Sequence, residues 1–167
     1  LTPDKITCCT RRKVWWKINL PHPITGEVIE LPWEASVAHR TNGEQCPYLS
    51  GKKILKGFND LATTHPKLAE QWDYEQNVGL SPDEITKGSL RKVYWRILHY
   101  DKNTNKTFCF CWQAKVCNRN DDGSDCPYLS NQKVYVGFND LLTTNPTLAS
   151  EWHPYKNKDL APSDVVA

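Results

Sequence analysis

Cys46-Pro47-Tyr48-Leu49-Ser50-Gly51 is the stretch of sequence that decides the fold, and it returns as Cys126-Pro127-Tyr128-Leu129-Ser130-Asn131. A Cys-Pro-x-Cys turn offers two thiolates to a metal ion from one tight bend of the chain. Both copies here carry leucine at the second cysteine position. We therefore expect a fold that keeps the frame of a metal-binding turn without its full set of ligands.

The rest of the chain repeats in the same order as the two turns. Leu1-Thr2-Pro3-Asp4 returns 79 residues later as Leu80-Ser81-Pro82-Asp83, and Leu160 opens a further copy. Self-similarity at a fixed period indicates a repeat architecture. We predict one module over residues 1–79, a second over residues 80–159 and the start of a truncated third over residues 160–167. Because the chain also contains no Met, we expect it to be a piece of a longer array.

Each repeat predicts one β-hairpin. Runs rich in Val, Ile and Trp favour strands over residues 13–20 and 28–37, with a Pro-rich turn between them. In the second repeat the turn is predicted at residues 100–105 and the returning strand at residues 107–117. A strand pair of this kind is a hairpin with alternating faces, so Trp15 and Trp16 point to opposite sides of it.

Short helices are predicted after each Cys-Pro-Tyr-Leu turn. Asn59 and Asp60 are expected to cap one helix, because their side chains accept hydrogen bonds from free backbone N–H groups. Pro66 is expected to begin another, which would carry Leu68 and Trp72 at helical spacing. The predicted fold class is therefore α+β, with two tandem modules that each combine a hairpin, a turn and short helices.

Composition limits the class of protein. The chain has 21 basic and 19 acidic residues, which does not match a strongly basic nucleic-acid-binding arm. No apolar run approaches the ~20 residues of a membrane-spanning helix. Five of the seven cysteines have no counterpart in the other repeat, so we expect small buried thiols and an intracellular, reducing compartment. Nucleus, cytoplasm and organelle stay open.

Four blocks resemble a known family when they are taken in order. They are Lys-Val-Trp-Trp-Lys at 13–17, Trp-Glu-Ala-Ser-Val at 33–37, the Cys46 turn, and Leu-Ala-x-x-x-Pro-x-Leu-Ala-x-x-Trp at 61–72. Together they resemble the family of probable zinc-ribbon domains, whose treble-clef-like modules occur in tandem. The resemblance covers both repeats and implies a binding module.

The resemblance also implies where zinc ligands would lie. They fall on Ile18, Leu31, Cys46 and Leu49 in the first repeat, and on Ile97, Phe110, Cys126 and Leu129 in the second. Because three of four are apolar in each repeat, we expect degenerate copies that have lost zinc and pack these side chains in a small dry cluster. Free thiols are the main expectation for the other cysteines. The alternative is a metal site rebuilt from Cys109, Cys111, Cys117 and Cys126.

Catalysis is not expected. The chain has no Gly-rich phosphate loop, and no histidine has a histidine counterpart in the other repeat. The resemblance favours binding of nucleic acid, DNA or RNA, through basic and aromatic strand faces, and neither a membrane nor a small-molecule substrate is expected as a partner. The predicted phosphate contacts are Arg11, Arg12, Lys13, Lys17, Arg91, Lys92 and Arg96. The alternative is a protein-interaction or structural scaffold whose repeats stack end to end within a larger assembly.

Overall fold

The computed structural model describes residues 2–102 and 104–167. Leu1, which opens the first repeat, and Asn103, in the turn predicted at residues 100–105, lie outside the described residues. The strands are β1 (Lys13–Pro21), β2 (Val28–Ser36), β3 (Lys92–Asp101) and β4 (Lys106–Lys115). The helices are α1 (Val37–Thr41), α2 (Leu61–Thr64), α3 (Pro66–Ala69), α4 (Leu141–Thr144) and α5 (Pro146–Ala149). Short 3₁₀ turns lie at Pro3–Lys5, Pro82–Glu84, Val116–Asn118 and Pro162–Asp164. The structure is small and α+β, as predicted.

The strands form two antiparallel hairpins. β1 pairs with β2, which places Trp16 opposite Trp33, and β3 pairs with β4, which places Trp95 opposite Trp112. The predicted hairpins are confirmed. Both returning strands end slightly before the predicted residue because a helical turn, α1 or Val116–Asn118, follows at once.

Asp60 caps α2, as predicted. Its carboxylate accepts hydrogen bonds from the backbone N–H of Thr63 at 2.8 Å and of Gly57 at 2.5 Å. The expectation for Asn59 is wrong. Its amide donates to the carbonyls of Tyr48 and Lys53, at 2.6 and 2.8 Å. Asn59 therefore ties the turn that starts at Cys46 to the helices, rather than capping a helix itself.

Pro66 begins α3, because proline fits the first turn of a helix, where its missing N–H costs nothing. The prediction that this helix carries Trp72 is wrong, since α3 ends at Ala69. Trp72 lies beyond it and forms an isolated antiparallel bridge with Trp95 of β3. The tryptophan thus reaches the second hairpin instead of continuing the helix.

The main core packs α2 and α3 against the second hairpin. The members of this buried cluster are Leu61, Leu68, Trp72, Ile85, Val93, Trp95, Phe110, Trp112, Val116 and Cys126. It runs across the module boundary predicted between residues 79 and 80. The boundary between residues 79 and 80 stays a prediction from the sequence. The packed unit combines α2 and α3, which precede that boundary, with β3 and β4, which follow it.

Candidate functional site

The outer face of the first hairpin carries an exposed tryptophan. Side chains alternate along a strand, so Lys13, Trp15 and Lys17 share one face of β1 and Trp16 lies on the other. Trp15 is 72% exposed. Trp16 instead donates its indole N–H to the carbonyl of Ala35 at 3.0 Å. The expectation that Trp15 and Trp16 point to opposite sides of the hairpin is confirmed, and the more exposed of the two is Trp15.

Cations flank Trp15 in the sequence, whereas its direct cross-strand neighbour is Glu34. Arg11, Arg12 and Lys13 are exposed, and within residues 2–102 and 104–167 no carboxylate forms an ion pair with them. Lys17 differs, because its ammonium lies 2.5 Å from a carboxylate oxygen of Glu30 on the neighbouring strand. The first hairpin therefore offers three unpaired cations and one neutralised cation beside an exposed aromatic ring.

On the second hairpin, the cation that corresponds to Lys17 is Arg96, and it is already paired. Arg96 forms ion pairs with Glu75 and with the buried Asp73, whose carboxylate lies 3.3 Å from Nε. The hydrogen bond to Glu75, followed by that to Cys111, raises the pKa of Arg96 above its ordinary value. Tyr94 stands where the first hairpin has Trp15, and it is only partly exposed. Arg96 is thus already paired with one buried and one exposed carboxylate of the same chain.

Arg91 and Lys92 remain available at the start of β3. Both are exposed, and neither takes part in an ion pair with the described residues. The seven predicted phosphate contacts therefore divide into an unpaired set, Arg11, Arg12, Lys13, Arg91 and Lys92, and a neutralised set, Lys17 and Arg96.

The four zinc-ligand positions implied for the first repeat are not all buried. Ile18 and Leu31 are direct cross-strand neighbours, and Leu31 and Cys46 are buried at 4% and 3% exposure. Leu49 is 53% exposed. The expectation of a dry four-residue cluster is wrong for Leu49, because the turn that begins at Cys46 presents its fourth residue to solvent.

The second set behaves in the same way. Ile97 pairs with Phe110 across the hairpin, and Phe110 and Cys126 are almost fully buried at 0% and 1% exposure. Leu129 is 41% exposed, so the dry-cluster expectation is wrong for this residue as well. In the second repeat the buried core contains Phe110 and Cys126, with the partly buried Ile97 packed against it, but not Leu129.

An aromatic cluster surrounds Phe110 in the second hairpin. The rings of Tyr128, Tyr135 and Phe138 lie 5.2, 4.9 and 5.0 Å from the Phe110 ring, centroid to centroid. His99 and Phe108 complete it, at 6.0 and 6.1 Å. Sequence reasoning missed the cluster. Tyr135 and Phe138 follow the Cys126 turn, and only the fold brings them back over the strands.

Zinc does not suit the side chains at these positions. Zinc is held by four nitrogen, sulfur or oxygen ligands, whereas each set supplies one thiol and three apolar side chains. Among the described residues, no three Cys, His, Asp or Glu side chains lie together in a way that could hold a metal ion. The cysteines of the alternative site do not converge either, since Cys109 and Cys111 are exposed and Cys126 is buried.

Four exposed thiols correct the expectation that the cysteines are small buried residues. Cys8, Cys9, Cys109 and Cys111 are exposed, and only Cys46 and Cys126 are buried. Cys109 and Cys111 lie on one face of β4 with their sulfur atoms 3.8 Å apart, as the alternation along a strand predicts. All seven cysteines are free.

Each hairpin also holds an arginine between two tryptophans. The Arg119 guanidinium lies 4.4 Å from the Trp95 ring and 4.8 Å from the Trp112 ring, and Arg40 lies 5.3 Å from both Trp16 and Trp33. Burial lowers the pKa of Arg119, and the hydrogen bond that its Nε donates to the Asp125 carboxylate opposes that effect. Sequence reasoning missed both arginines, although their recurrence 79 residues apart was a usable signal.

Comparison with known proteins gives one match. Residues 68–131 match a family model described as a probable treble clef zinc finger domain. The match starts in α3, runs through the second hairpin and ends with the Cys126 turn, so it covers the packed unit described above except for α2. No curated protein and no solved structure matches the chain. No helix among the described residues is long and apolar enough to cross a membrane.

Proposed function

We propose that this chain is a non-catalytic binding module whose first hairpin binds single-stranded nucleic acid. The observation that carries the proposal is the exposed Trp15 ring, preceded in the chain by the exposed Arg11, Arg12 and Lys13, none of which pairs with a carboxylate of a described residue. Basic side chains attract phosphates, and an exposed ring stacks on a base of any sequence. The match to a treble clef domain supports a binding role of this kind.

The first hairpin is the stronger of the two candidate surfaces. On β3 the position of Trp15 is taken by the partly buried Tyr94, and Arg96 is held by Asp73 and Glu75. An arginine that already pairs with carboxylates gains little from a phosphate. Arg91 and Lys92 would add charge without a stacking ring.

Affinity should be modest and strongly dependent on salt. The net charge is only +2, so the attraction comes from a local patch rather than from the whole protein. Three phosphate contacts to a single strand predict a slope of log affinity against log salt of about −2. Stacking on Trp15 should add about 1–3 kcal/mol to binding.

The test is fluorescence anisotropy of a labelled single-stranded oligonucleotide, titrated at several salt concentrations. The Arg11→Gln/Arg12→Gln variant should flatten the salt slope by about 1.4, and Trp15→Ala should weaken binding at every salt concentration by about tenfold. The matched control is Lys106→Gln/Lys133→Gln, which removes two exposed charges elsewhere. The control should lose much less affinity than the arginine variant.

Two outcomes would refute the proposal. One is the absence of binding at low salt, where electrostatic attraction is strongest. The other is an equal loss of affinity in the control and in the Arg11→Gln/Arg12→Gln variant, which would indicate attraction to overall charge rather than to this face.

We also propose that the chain folds without zinc and has no catalytic activity. A structural zinc contributes about 10 kcal/mol or more to folding of small fingers. Burial of one large apolar side chain contributes about 1.5–3 kcal/mol to folding. Burial of Phe110 and its neighbours therefore contributes a folding free energy comparable to that of a zinc ion in the second hairpin. The first hairpin has a smaller set of aromatic contacts, in which the centroids of the Phe58 and His22 rings lie 6.2 Å apart.

A second candidate function is a structural scaffold whose units join end to end. It is favoured by one observation, the uncovered edge of β1. Apart from β2, no part of the described chain makes a hydrogen bond to the backbone of this strand.

A further inference from the structure

The outer face of β4 carries two exposed thiols side by side, Cys109 and Cys111, which we call the thiol pair. They are alternate residues of the strand, so both project from the same face, and their sulfur atoms lie 3.8 Å apart. Phe110 between them points to the opposite side and is fully buried. Two free sulfur ligands are therefore presented to solvent on the face opposite to the zinc-ligand position Phe110.

The strand beneath the thiol pair is held from both sides. The hydroxyl of Tyr135 donates to the carbonyl of Cys109 at 3.5 Å, and that of Tyr128 donates to the carbonyl of Cys111 at 3.2 Å. On the other side Cys111 lies directly opposite Arg96, whose guanidinium hydrogen-bonds to it. A pair on a strand that is fixed in this way keeps its two ligands at a set spacing.

The unit that precedes the second hairpin covers the edge of β3 and leaves the thiol pair open. Within residues 71–77, the carbonyl of Gln71 accepts from the N–H of Arg96 at 2.7 Å, and the N–H of Asp73 donates to the carbonyl of Tyr94 at 3.2 Å. This contact extends the sheet sideways, and the thiol pair remains exposed beside it.

The first hairpin shows that a following unit leaves the same face open. Glu30 and Pro32 stand there at the places of the thiol pair, 79 residues earlier in the sequence. Both are exposed although the second unit follows them in the chain. The thiol pair therefore stays accessible in a unit that has neighbours of this kind on both sides.

The surroundings of the thiol pair limit the ions that it can hold. Zinc takes at least three protein ligands, and iron–sulfur clusters take four. The residues around the pair on this face are Arg96, Leu98, Thr107 and Gln113, and none of them is a common ligand of either. Thiolates are soft ligands that select Cu(I), an ion that two thiolates on opposite sides satisfy.

The extended strand disfavours a disulfide between the two sulfurs. A rise of about 3.4 Å per residue places the Cα atoms of alternate residues about 6.8 Å apart, at the upper limit for a disulfide. An ion between the sulfurs requires no such approach, since two metal–sulfur bonds of about 2.3 Å, the length for zinc, allow a separation of about 4.6 Å. The observed 3.8 Å is closer to this separation than to the bond of about 2.0 Å in a disulfide.

We propose that Cys109 and Cys111 together bind one soft monovalent cation, Cu(I), between their sulfur atoms. Both thiols release their protons on binding, and neither sulfur nor copper changes its oxidation state. The site lies on an exposed face, so small thiols and chelators compete for the ion, and the chain carries it only where Cu(I) is supplied. Binding here is independent of the buried clusters that hold the fold together.

Titration with Cu(I) without oxygen, against a coloured Cu(I) chelator, tests the proposal. Cys8 and Cys9 also bring two exposed sulfurs to 3.7 Å, so the test is made in a background that carries Cys8→Ser, Cys9→Ser and Cys117→Ser. This background should take one Cu(I) per chain from the chelator. Cys109→Ser or Cys111→Ser in it should lower the affinity by more than about 100-fold, because even the outer partners of metal ligands contribute 10–100-fold.

The background is itself the matched control, since it loses three thiols outside the pair and should hold one Cu(I) as tightly as wild type does. Circular dichroism checks that each variant is folded. A background that takes no Cu(I) from the chelator would overturn the proposal. So would unchanged affinity after replacement of both Cys109 and Cys111, or equally tight binding of one Zn²⁺, which requires further ligands. None of these outcomes depends on nucleic-acid binding by the first hairpin.

Discussion

The rings of Trp72 and Trp95 meet edge to face, with centroids 5.5 Å apart and planes at 84°. They come from segments that are 23 positions apart and that lie on either side of the boundary predicted at residues 79 and 80. Both are buried, at 3% and 0% exposure. This contact fastens the helices to the second hairpin.

Replacement of Trp72 should therefore destabilise the packed unit strongly. We expect Trp72→Ala to lower the free energy of unfolding by about 3–5 kcal/mol, because a large buried side chain leaves a cavity. Trp15→Ala is the matched control and should change it by less than about 0.5 kcal/mol, since the ring is exposed. Urea denaturation followed by circular dichroism measures both. Equal losses of unfolding free energy in the two variants would show that Trp72 does not hold the packed unit together.

Asn77 should matter far more than its counterpart Asn157. Asn77 makes two hydrogen bonds with the backbone of Tyr94 and is 9% exposed. We expect Asn77→Ala to cost about 1–3 kcal/mol, because the Tyr94 groups lose their partners in a buried place. Among the described residues the Asn157 side chain donates only to the carbonyl of His153, and Asn157→Ala should be close to neutral.

Acid should remove part of the stability through Asp140. Burial raises the pKa of this carboxyl, but the hydrogen bonds from Thr143 and Gly137 outweigh burial and lower the pKa overall. A lowered folded-state pKa stabilises the protein above the ordinary value of about 3.9, and that stability is lost as pH falls through the folded value.

The comparison of wild type with Asp140→Asn isolates this carboxyl. We expect the variant to be less stable by about 1–2 kcal/mol at neutral pH, because its amide nitrogen cannot accept both N–H bonds. The difference should shrink as pH falls from about 5 to about 2.5. Urea unfolding across this range is the measurement. A constant difference would show that the charge on Asp140 does not stabilise the fold.

Metal removal should leave the protein unchanged. Native mass spectrometry without and with a chelator should give the mass of the bare chain in both cases, and the melting temperature should not move. Zinc bound in a structural site would instead contribute about 10 kcal/mol to folding, and its removal would unfold the module. One bound zinc would point to Cys109, Cys111, Cys117 and Cys126, and two would show that the ligand positions carried over from the family are wrong.

Phe110→Ala probes the aromatic cluster independently of any metal. We expect a loss of about 3–5 kcal/mol in the free energy of unfolding, because five rings lose their central contact. Leu129→Ala is the control, and its exposed side chain should make the change small. A small loss of unfolding free energy in Phe110→Ala would show that the aromatic cluster does not stabilise the second hairpin.

Local sequence patterns determined the elements of this fold. Runs rich in Val, Ile and Trp predicted the hairpins, and the Asp60 cap and Pro66 predicted the short helices. These features depend on residues that are close together in the sequence, through strand alternation and the preference of Asp and Pro for helix starts. They can therefore be predicted without the tertiary structure. Alternation along the strand also placed Trp15 and Trp16 on opposite faces, and the structure decided that Trp15 is the exposed one.

Contacts between distant segments were decided only by the tertiary structure. No local rule indicates that residues 71–77 cover the edge of β3, that Tyr135 and Phe138 close over Phe110, or that Leu49 and Leu129 point to solvent. Each of these outcomes depends on how segments separated by tens of residues fit together in space. Packing decided that residues 71–77 cover the edge of β3, whereas among the described residues only β2 makes backbone hydrogen bonds to β1.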